Sequence, residues 1–332
     1  MATVEFVPRR DQLCWTFGGV EPVLQIDPGT TLKLWTEDAF GGNLRRSSDR
    51  FLECVRVDQP NPQTGPFYVV GAEAGDTLVV HIEVLEPARD WAVSASIPYF
   101  GGMTSTVRDP TLQPALPDRT WLYEVDRKAG TVTFSARDSD TRIPLPLDPM
   151  LGTVGVAPAG GEVRSALVPD AYGGNLDTPE MRAGVTCFLG VNVEGALLSV
   201  GDGHYRQGEG EACGSAVEGA MDVVLTVELI KNTDTPWPRL ENDDWIMSIG
   251  SGRPLESAWK VALHDMIGWV GRLCGLSEGD AYQLVSQVAL ASIANVVDPN
   301  YTVVVKVPKA LLPSIEPYAG IHTKLRGAAR SR

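Results

Sequence analysis

The sequence predicts a mainly β protein, of the α+β kind, that ends in a helical hairpin. Its 332 residues include 34 glycines and 24 prolines, which interrupt the chain often and favour many short strands over long helices. Several runs are rich in β-branched residues or alternate in polarity, as strands do. Near the C-terminus, apolar residues recur at helical spacing instead. The length is enough for two domains, or for one large domain with appendages.

The predicted strands alternate with turn signals along the first two thirds of the chain. A Gly75-Asp76 turn precedes one of the clearest, and an apolar run leads into the glycine-rich stretch after Val200. In order, the predicted strands span residues 30–36, 67–70, 77–85, 120–125, 130–136, 191–200, 222–230 and 301–307. The segment 91–117, which contains four prolines, is predicted to form loops around a pocket.

The last third of the chain changes to a helical pattern. Apolar residues form one helix face over 259–270 and a second over 281–289. Pro254 suits the first turn of the first helix, Gly275 suits its C-terminal end, and Ser277 can cap the second helix. The short link between them predicts an antiparallel helical hairpin.

We divide the chain into three segments on this basis. Residues 1–150 form an N-terminal β part that carries the run EDAFGG, and residues 151–235 form a central β part with the runs GGNLD and GDGHYRQGEGE. Residues 236–332 contain the helical hairpin, one strand and a basic tail. The tail from Lys324 onward is predicted to be frayed.

Charge and composition exclude several classes of function. The net charge of −14 and the sequence pI near 4.8 argue against a surface for nucleic acid or anionic membrane, which attract positive charge. Five dispersed cysteines without a C-x-x-C pair indicate reduced thiols in a cytoplasmic protein. We see neither an apolar secretion signal at the N-terminus nor an apolar run long enough to span a bilayer.

The run after Val200 is the best candidate for a functional site. Asp202 and His204 are two residues apart, so an extended backbone would direct both side chains to one side. A carboxylate and an imidazole that converge at the end of a buried strand suit metal ligation or proton transfer. The alternative is an ordinary loop, because Asp-Gly is a common turn pair.

Two other runs place polar residues beside glycine pairs. Asp38 follows the strand 30–36 and precedes Gly41-Gly42, and Asn175 and Asp177 follow Gly173-Gly174. Binding and catalytic residues often lie at such junctions between strand and loop. A solvated turn remains the alternative for the first run.

Four runs that occur in order resemble the acetamidase/formamidase family. They are the acid-x-x-Gly-Gly element at 38–42, TGP…GAEAGD at 64–76, PMLGTVGVAP at 149–158, and GDGHYRQGEGE at 201–211. The chain departs from the pattern at Tyr172, where the family often has histidine before Gly-Gly-Asn. The resemblance implies a cytoplasmic, homo-oligomeric hydrolase of short aliphatic amides such as formamide and acetamide. It also implies a fold with β-sandwich or jelly-roll-like and barrel-like parts.

These candidates suit amide hydrolysis by an activated water, because no G-x-S-x-G nucleophile motif is present. Such a water needs a divalent cation or a positioned base. We predict that Asp38, Asp202 and His204 bind one divalent metal, with zinc as one candidate. Glu211 or Asp177 would then act as base and proton carrier together with His204.

The substrate amide would be held by Asn175 and Gln207. Two alternatives to the hydrolysis of short aliphatic amides remain open. One is a hydrolase of another small amide, a urea-like compound or a carbamoyl group. The other is a non-catalytic protein of the same fold that binds a small molecule or a metal, which Tyr172 would favour.

Overall fold

A computed structural model describes residues 2–104 and 115–330. Strands account for 39% of the residues and helices for 18%, which confirms the mainly β prediction. The predicted loops at 91–117 lie partly outside the described residues, and Trp91–Ser96 forms a strand.

Within the described residues the chain forms 22 strands. In chain order they are β1 (Thr3–Phe6), β2 (Leu13–Cys14), β3 (Thr16–Phe17), β4 (Leu24–Ile26), β5 (Thr30–Thr36), β6 (Gln63–Val69), β7 (Thr77–Pro87), β8 (Trp91–Ser96), β9 (Arg119–Asp126), β10 (Thr131–Ser135), β11 (Arg142–Pro146), β12 (Met150–Gly155), β13 (Arg164–Ser165), β14 (Gly173–Asn175), β15 (Thr186–Gly190), β16 (Leu198–Arg206), β17 (Val217–Glu218), β18 (Met221–Ile230), β19 (Arg239–Glu241), β20 (Trp245–Gly252), β21 (Leu290–Asn295) and β22 (Tyr301–Pro308). The α-helices are α1 (Phe51–Cys54), α2 (Leu255–Cys274), α3 (Glu278–Val288) and α4 (Ile321–Arg330). Short 3₁₀ turns span Arg10–Gln12, Ala159–Gly161, Lys309–Leu311 and Pro317–Gly320.

Most of the strands belong to two large sheets that share one core. The first sheet has nine strands in the order β1-β5-β18-β7-β15-β19-β20-β22-β21. The second has eleven, with β11-β10-β9-β8-β17-β16-β12-β14 as its main path and β6 pairing with β16, β2 and β4. One buried apolar cluster contains Leu32 and Val80 of the first sheet together with Phe67 and Val200 of the second. The sheets therefore pack face to face, which confirms the sandwich-like part of the prediction.

The nine-stranded sheet contains strands from all three predicted segments. β1, β5 and β7 belong to 1–150, β15 and β18 to 151–235, and β19 to β22 to 236–332. The three segments therefore contribute strands to one sheet, and the boundaries between them remain a prediction from the sequence.

Most of the eight predicted strands and the helical hairpin are present in the structure, which has further strands that the local patterns did not predict. The strand predicted at 30–36 is β5, and those at 77–85 and 222–230 are β7 and β18, which pair with each other. In the hairpin, Gly275 ends α2 with φ 65°, and the Ser277 side chain accepts a hydrogen bond from the Asp280 backbone at α3. The hairpin packs on β20 and β22 through a second apolar cluster.

The strand predicted at 191–200 was placed too early. Ala196 and Leu197 have positive φ values of 56° and 61°, which break any strand there, and β16 begins only at Leu198. Gly201 and Gly203, the first two glycines of the stretch that suggested a loop, lie inside β16, where neighbouring atoms approach closely. A Cβ on Gly203 would lie 2.6 Å from the Gly219 carbonyl oxygen.

The C-terminal tail was also predicted wrongly. Instead of fraying at Lys324, the chain forms α4 up to Arg330. His322 and Leu325 of this helix are buried, and Leu325 packs with Val79 of β7 and Phe188 of β15. Burial of this short apolar face against the first sheet holds a segment whose composition alone favours disorder.

Candidate active site and metal centre

Four neighbouring strands of the eleven-stranded sheet carry the polar side chains of the site. β14 pairs with β12, β12 with β16, and β16 with β17. Thr153 of β12 lies opposite Asn175 on one side and Gly201 on the other, and His204 lies opposite Glu218. Strand pairing therefore gathers residues that are distant in sequence.

His204 is the centre of the cluster. Its Nε2 lies 3.3 Å from Asp202 Oδ1 and 3.1 Å from Glu218 Oε2, which confirms that Asp202 and His204 face the same side. Its Nδ1 lies 2.8 Å from Gln207 Oε1. The Gln207 amide nitrogen donates to the backbone carbonyls of Asp177 and Ala294, so its oxygen must face the ring. His204 Nδ1 therefore carries the hydrogen and donates it to Gln207.

This tautomer leaves Nε2 to face two carboxylates. A neutral imidazole would direct a lone pair at two negative groups, so a positive charge belongs between them. Burial opposes a charge on the ring, but the carboxylates of Glu218 and Asp202 outweigh it and raise the pKa of His204 well above its ordinary value. A metal ion can take the place of that proton, and a histidine ligand commonly donates its other N–H to an oxygen.

Three buried carboxylate oxygens support a cation site at this point. Asp177 Oδ1, Asp202 Oδ1 and Glu218 Oε2 are buried and have no partner in hydrogen-bond geometry among the described residues. The ligand atoms of Asp202, His204 and Glu218 lie within 4.8 Å of one another, and so do those of Asp177, His204 and Glu211. Carboxylate oxygens and imidazole nitrogen are suitable ligands for zinc and similar divalent ions. The residues present therefore fit a metal.

The acids of the site crowd one another in a buried environment. Burial, together with the negative charge of Glu211, raises the pKa of Asp177 well above its ordinary value. Burial raises the pKa of Glu211 as well, against the opposing effect of His204. Burial is also the main cause that raises the pKa of Glu218 to about 7 and that of Asp298 to about 7. Such mutual repulsion is relieved by protons or by a bound cation.

Asn175 and Gln207 use their amides inside the protein. Asn175 Nδ2 donates to Asp177 Oδ2 at 2.7 Å and to Asp298 Oδ2 at 2.9 Å, and its oxygen accepts from Asn61. Gln207 is fully engaged by His204 and two carbonyls, as above. These contacts favour roles in orienting the acids and the imidazole, and the role of the two residues in holding the substrate amide remains a prediction.

The backbone at the site is strained. Asp177, Asp202 and Glu211 have positive φ values of 42°, 61° and 46°, a region that residues other than glycine seldom adopt. Such strain often accompanies functional sites. Gly152 lets two of these acids approach, because a Cβ there would lie 2.6 Å from Asp177 Oδ1 and closer still to Asp202 Oδ2.

A cavity of about 210 Å³ opens above the acids. We call its polar lining residues the floor and its apolar lining residues the wall. The polar lining residues are Asn61, Asn175, Asp202, Glu211, Ser215, Glu218 and Asp298. A small molecule can therefore reach several carboxylates of the cluster directly.

Asp38 lies outside both groups of possible ligands. Its Oδ1 accepts hydrogen bonds from the backbone of Phe40 and Gly42, and its Oδ2 accepts one from Arg89 at 2.8 Å. The structure therefore places Asp38 with Arg89 and two backbone amides, outside either group of possible metal ligands, and its role as a ligand remains a prediction. Asp38 orders the loop whose residues Ala39 and Phe40 line the cavity.

We expect Asp38→Asn to keep its metal, whereas Asp202→Asn loses it. The Asp38 variant should unfold more easily by about 1–3 kcal/mol, because it breaks a buried, charge-assisted hydrogen bond to Arg89. Elemental analysis and urea denaturation of both variants measure this. Loss of metal from Asp38→Asn to the same extent as from Asp202→Asn would restore Asp38 as a ligand.

Sequence reasoning missed Glu218, Asp298 and Asn61. None of them lies in a motif with glycine pairs or histidine, and Glu218 reaches the site only because β17 pairs with β16. Tyr172, which replaces the frequent family histidine, is buried. Its hydroxyl donates to the Val168 carbonyl at 2.6 Å, and its ring packs near Phe17.

Comparison with known proteins identifies the family. The sequence model of the Acetamidase/Formamidase family matches residues 15–160 and 149–313. An acetamidase of Mycolicibacterium smegmatis is 28% identical over 289 residues, which are 70% of this chain and 69% of that protein. A formamidase of Methylophilus methylotrophus is 27% identical over 254 residues, 63% of this chain and 62% of that protein. The matches span 61% to 69% of the length of the curated relatives.

The fold leads to the same group of proteins. The crystal structure of an acetamidase from Yersinia enterocolitica superposes with a TM-score of 0.89 at 38% identity, and the match covers 94% of each chain. Because the family model matches most of the sequence and this structure matches most of the fold, the chain belongs to the acetamidase/formamidase family.

Proposed function

We propose that this protein hydrolyses short aliphatic amides to a carboxylate and ammonia with the help of a bound divalent cation. Relatives named acetamidase and formamidase support the reaction class. The observation that carries the proposal is the convergence of Asp202, His204 and Glu218 below a small cavity.

Asp202, His204 through Nε2, and Glu218 would hold the cation, for which zinc is one candidate. This group is favoured over Asp177, His204 and Glu211 because two of its carboxylate oxygens are buried, lack hydrogen-bond partners among the described residues, and lie beside Nε2. When bound, such a cation supplies a Lewis acid for the amide oxygen and lowers the pKa of a nearby water. Gln207 would fix the ring tautomer that presents Nε2.

Glu211 or Asp177 would transfer the proton during the reaction. Glu211 lines the cavity, so its carboxylate can take a proton from water as the oxygen attacks the amide carbon. The same proton can pass to the amide nitrogen as the C–N bond breaks, which releases ammonia and leaves the carboxylic acid. Asp177 is held by Asn175, which also contacts Asp298, and is the second candidate for this transfer.

Metal analysis and ammonia release test the proposal together. We expect about one divalent ion per chain, as in other sites with one open position, and ammonia release from small amides that stops after chelation and returns with added metal. Protein without bound metal, active in the presence of chelator, would overturn the metal-dependent mechanism. Activity confined to urea-like or carbamoyl compounds would replace the substrate class, and bound metal with no turnover on any amide would favour a binding protein.

Partners and location follow from the same proposal. No helix within residues 2–104 and 115–330 is long and apolar enough to cross a membrane. All five cysteines lie in the described residues and are unpaired, which suits a reducing compartment. We propose a cytoplasmic homo-oligomer whose partner is a small amide rather than nucleic acid or membrane.

A further inference from the structure

The wall of the cavity is more apolar than formamide requires, and its residues Phe40, Phe51 and Ile97 form a cluster separate from the acids. Its apolar side chains are Phe40, Phe51, Val57, Ile97, Phe100 and Leu167. They come from three separate parts of the chain, and they stand beside a floor that carries Asp202, Glu211 and Glu218. A ligand in this cavity would therefore have one polar and one apolar end.

The wall is formed by packing and does not depend on a ligand. Phe40 and Phe51 are buried, and their rings lie edge to face with centroids 5.9 Å apart. Ile97 packs against the same cluster. Phe100 is backed by Gly214, where a Cβ would approach its ring to 2.7 Å. A preformed apolar surface binds an apolar group with little cost in ordering.

The cavity is also larger than the smallest amides require. A volume of about 210 Å³ is many times the roughly 10–15 Å³ of such space that holds one water molecule. Formamide, with a single carbon, would leave most of this space to water, and it carries no alkyl group that could pack against the apolar residues. A longer apolar chain would displace that water from an apolar surface, which is favourable.

We propose, on the basis of the hydrolase function above, that this site prefers amides whose acyl chain is longer than that of acetamide, such as propionamide and butyramide. The reacting carbon must lie at the acidic floor. The acyl chain then extends to the wall formed by Phe40, Ile97 and Leu167, and the unsubstituted nitrogen remains at the polar side. Leu167 is a specificity-determining residue in this arrangement.

A series of amides tests the preference. We expect kcat/KM for ammonia release to rise about 4-fold for each methylene added from acetamide to butyramide, which is the usual gain for burying one methylene. Formamide should be the poorest substrate. A maximum at formamide or acetamide, or equal values along the series, would overturn the proposal.

Two further arms separate this proposal from its alternatives. N-propylacetamide places the apolar chain on the nitrogen, and its hydrolysis releases propylamine and acetate, so its turnover is followed by acetate formation. A higher kcat/KM for it than for butyramide would show that the wall binds the leaving group and would overturn the acyl orientation proposed here. Calorimetric binding of acetamide and butyramide is measured in parallel. Tighter binding of butyramide without any ammonia release would keep the role of the wall and refute the hydrolase function, whereas equal binding without release would refute both.

A matched pair of variants tests Leu167 itself. Leu167→Asn keeps the branching at Cγ but replaces the apolar methyl groups in the wall with polar atoms, so the ratio of kcat/KM for butyramide to that for acetamide should fall about 4-fold. Leu311→Asn changes an exposed leucine outside the cavity and should keep the wild-type ratio. An unchanged ratio in folded Leu167→Asn, with the fold verified by circular dichroism, would remove Leu167 from the specificity wall.

Discussion

Replacement of His204 by alanine is expected to lower kcat/KM on small amides by about 10³-fold and to remove the bound metal. The imidazole Nε2 lies 3.3 Å from Asp202 Oδ1 and 3.1 Å from Glu218 Oε2. Without it, the two acids face each other with neither a ligand nitrogen nor a positive charge between them. Ammonia release and elemental analysis measure the two effects separately.

The matched control is His264→Ala, since His264 is an exposed residue of α2. This variant should keep both its metal and its activity. Circular dichroism should show that His204→Ala retains the β fold, because the large apolar core between the sheets does not involve the imidazole. A His204→Ala protein with wild-type turnover would refute every role proposed here for the cluster.

The second large effect is expected from Gly152→Ala. The new Cβ would lie 2.6 Å from Asp177 Oδ1 and 2.9 Å from Asp202 Cγ, so at least one of the two carboxylates must move. Displacement by about 1 Å in an active site can lower the rate about 10²-fold, and we expect a loss of that size. Overpacking should also reduce the free energy of unfolding by about 1–3 kcal/mol.

Gly208→Ala is the control for this change, because a Cβ at Gly208 has no heavy atom within 4 Å among the described residues although the position is close to His204 in sequence. Kinetics and urea denaturation of the two variants should differ clearly. Equal activity of Gly152→Ala and Gly208→Ala would mean that the acids can separate without consequence, and the close approach at Gly152 would then have no catalytic meaning.

Local pattern was enough for much of the fold. The alternation in 30–36, the β-branched run that became β7, and the 3.6-residue period of α2 all produce their elements from neighbouring residues. The pattern failed at two places where tertiary packing decides the local structure. Gly203 lies inside β16 because a neighbouring strand approaches too closely for a side chain. The basic C-terminal segment forms α4 because part of it is buried against the first sheet.

For the site, the sequence by itself predicted that Asp202 and His204 lie on one side, because they are two residues apart. The structure places their side chains together, although Asp202 has a φ of 61° and is not in extended backbone. Only the tertiary structure decided which other residues lie close to these two side chains. Glu218 lies at the site because β17 pairs with β16, and Asp298 lies there on a distant loop. Asp38 instead forms a hydrogen bond with Arg89. Partners of this kind depend on which strands are adjacent and on what is buried, and neither property is contained in the spacing of residues along one segment.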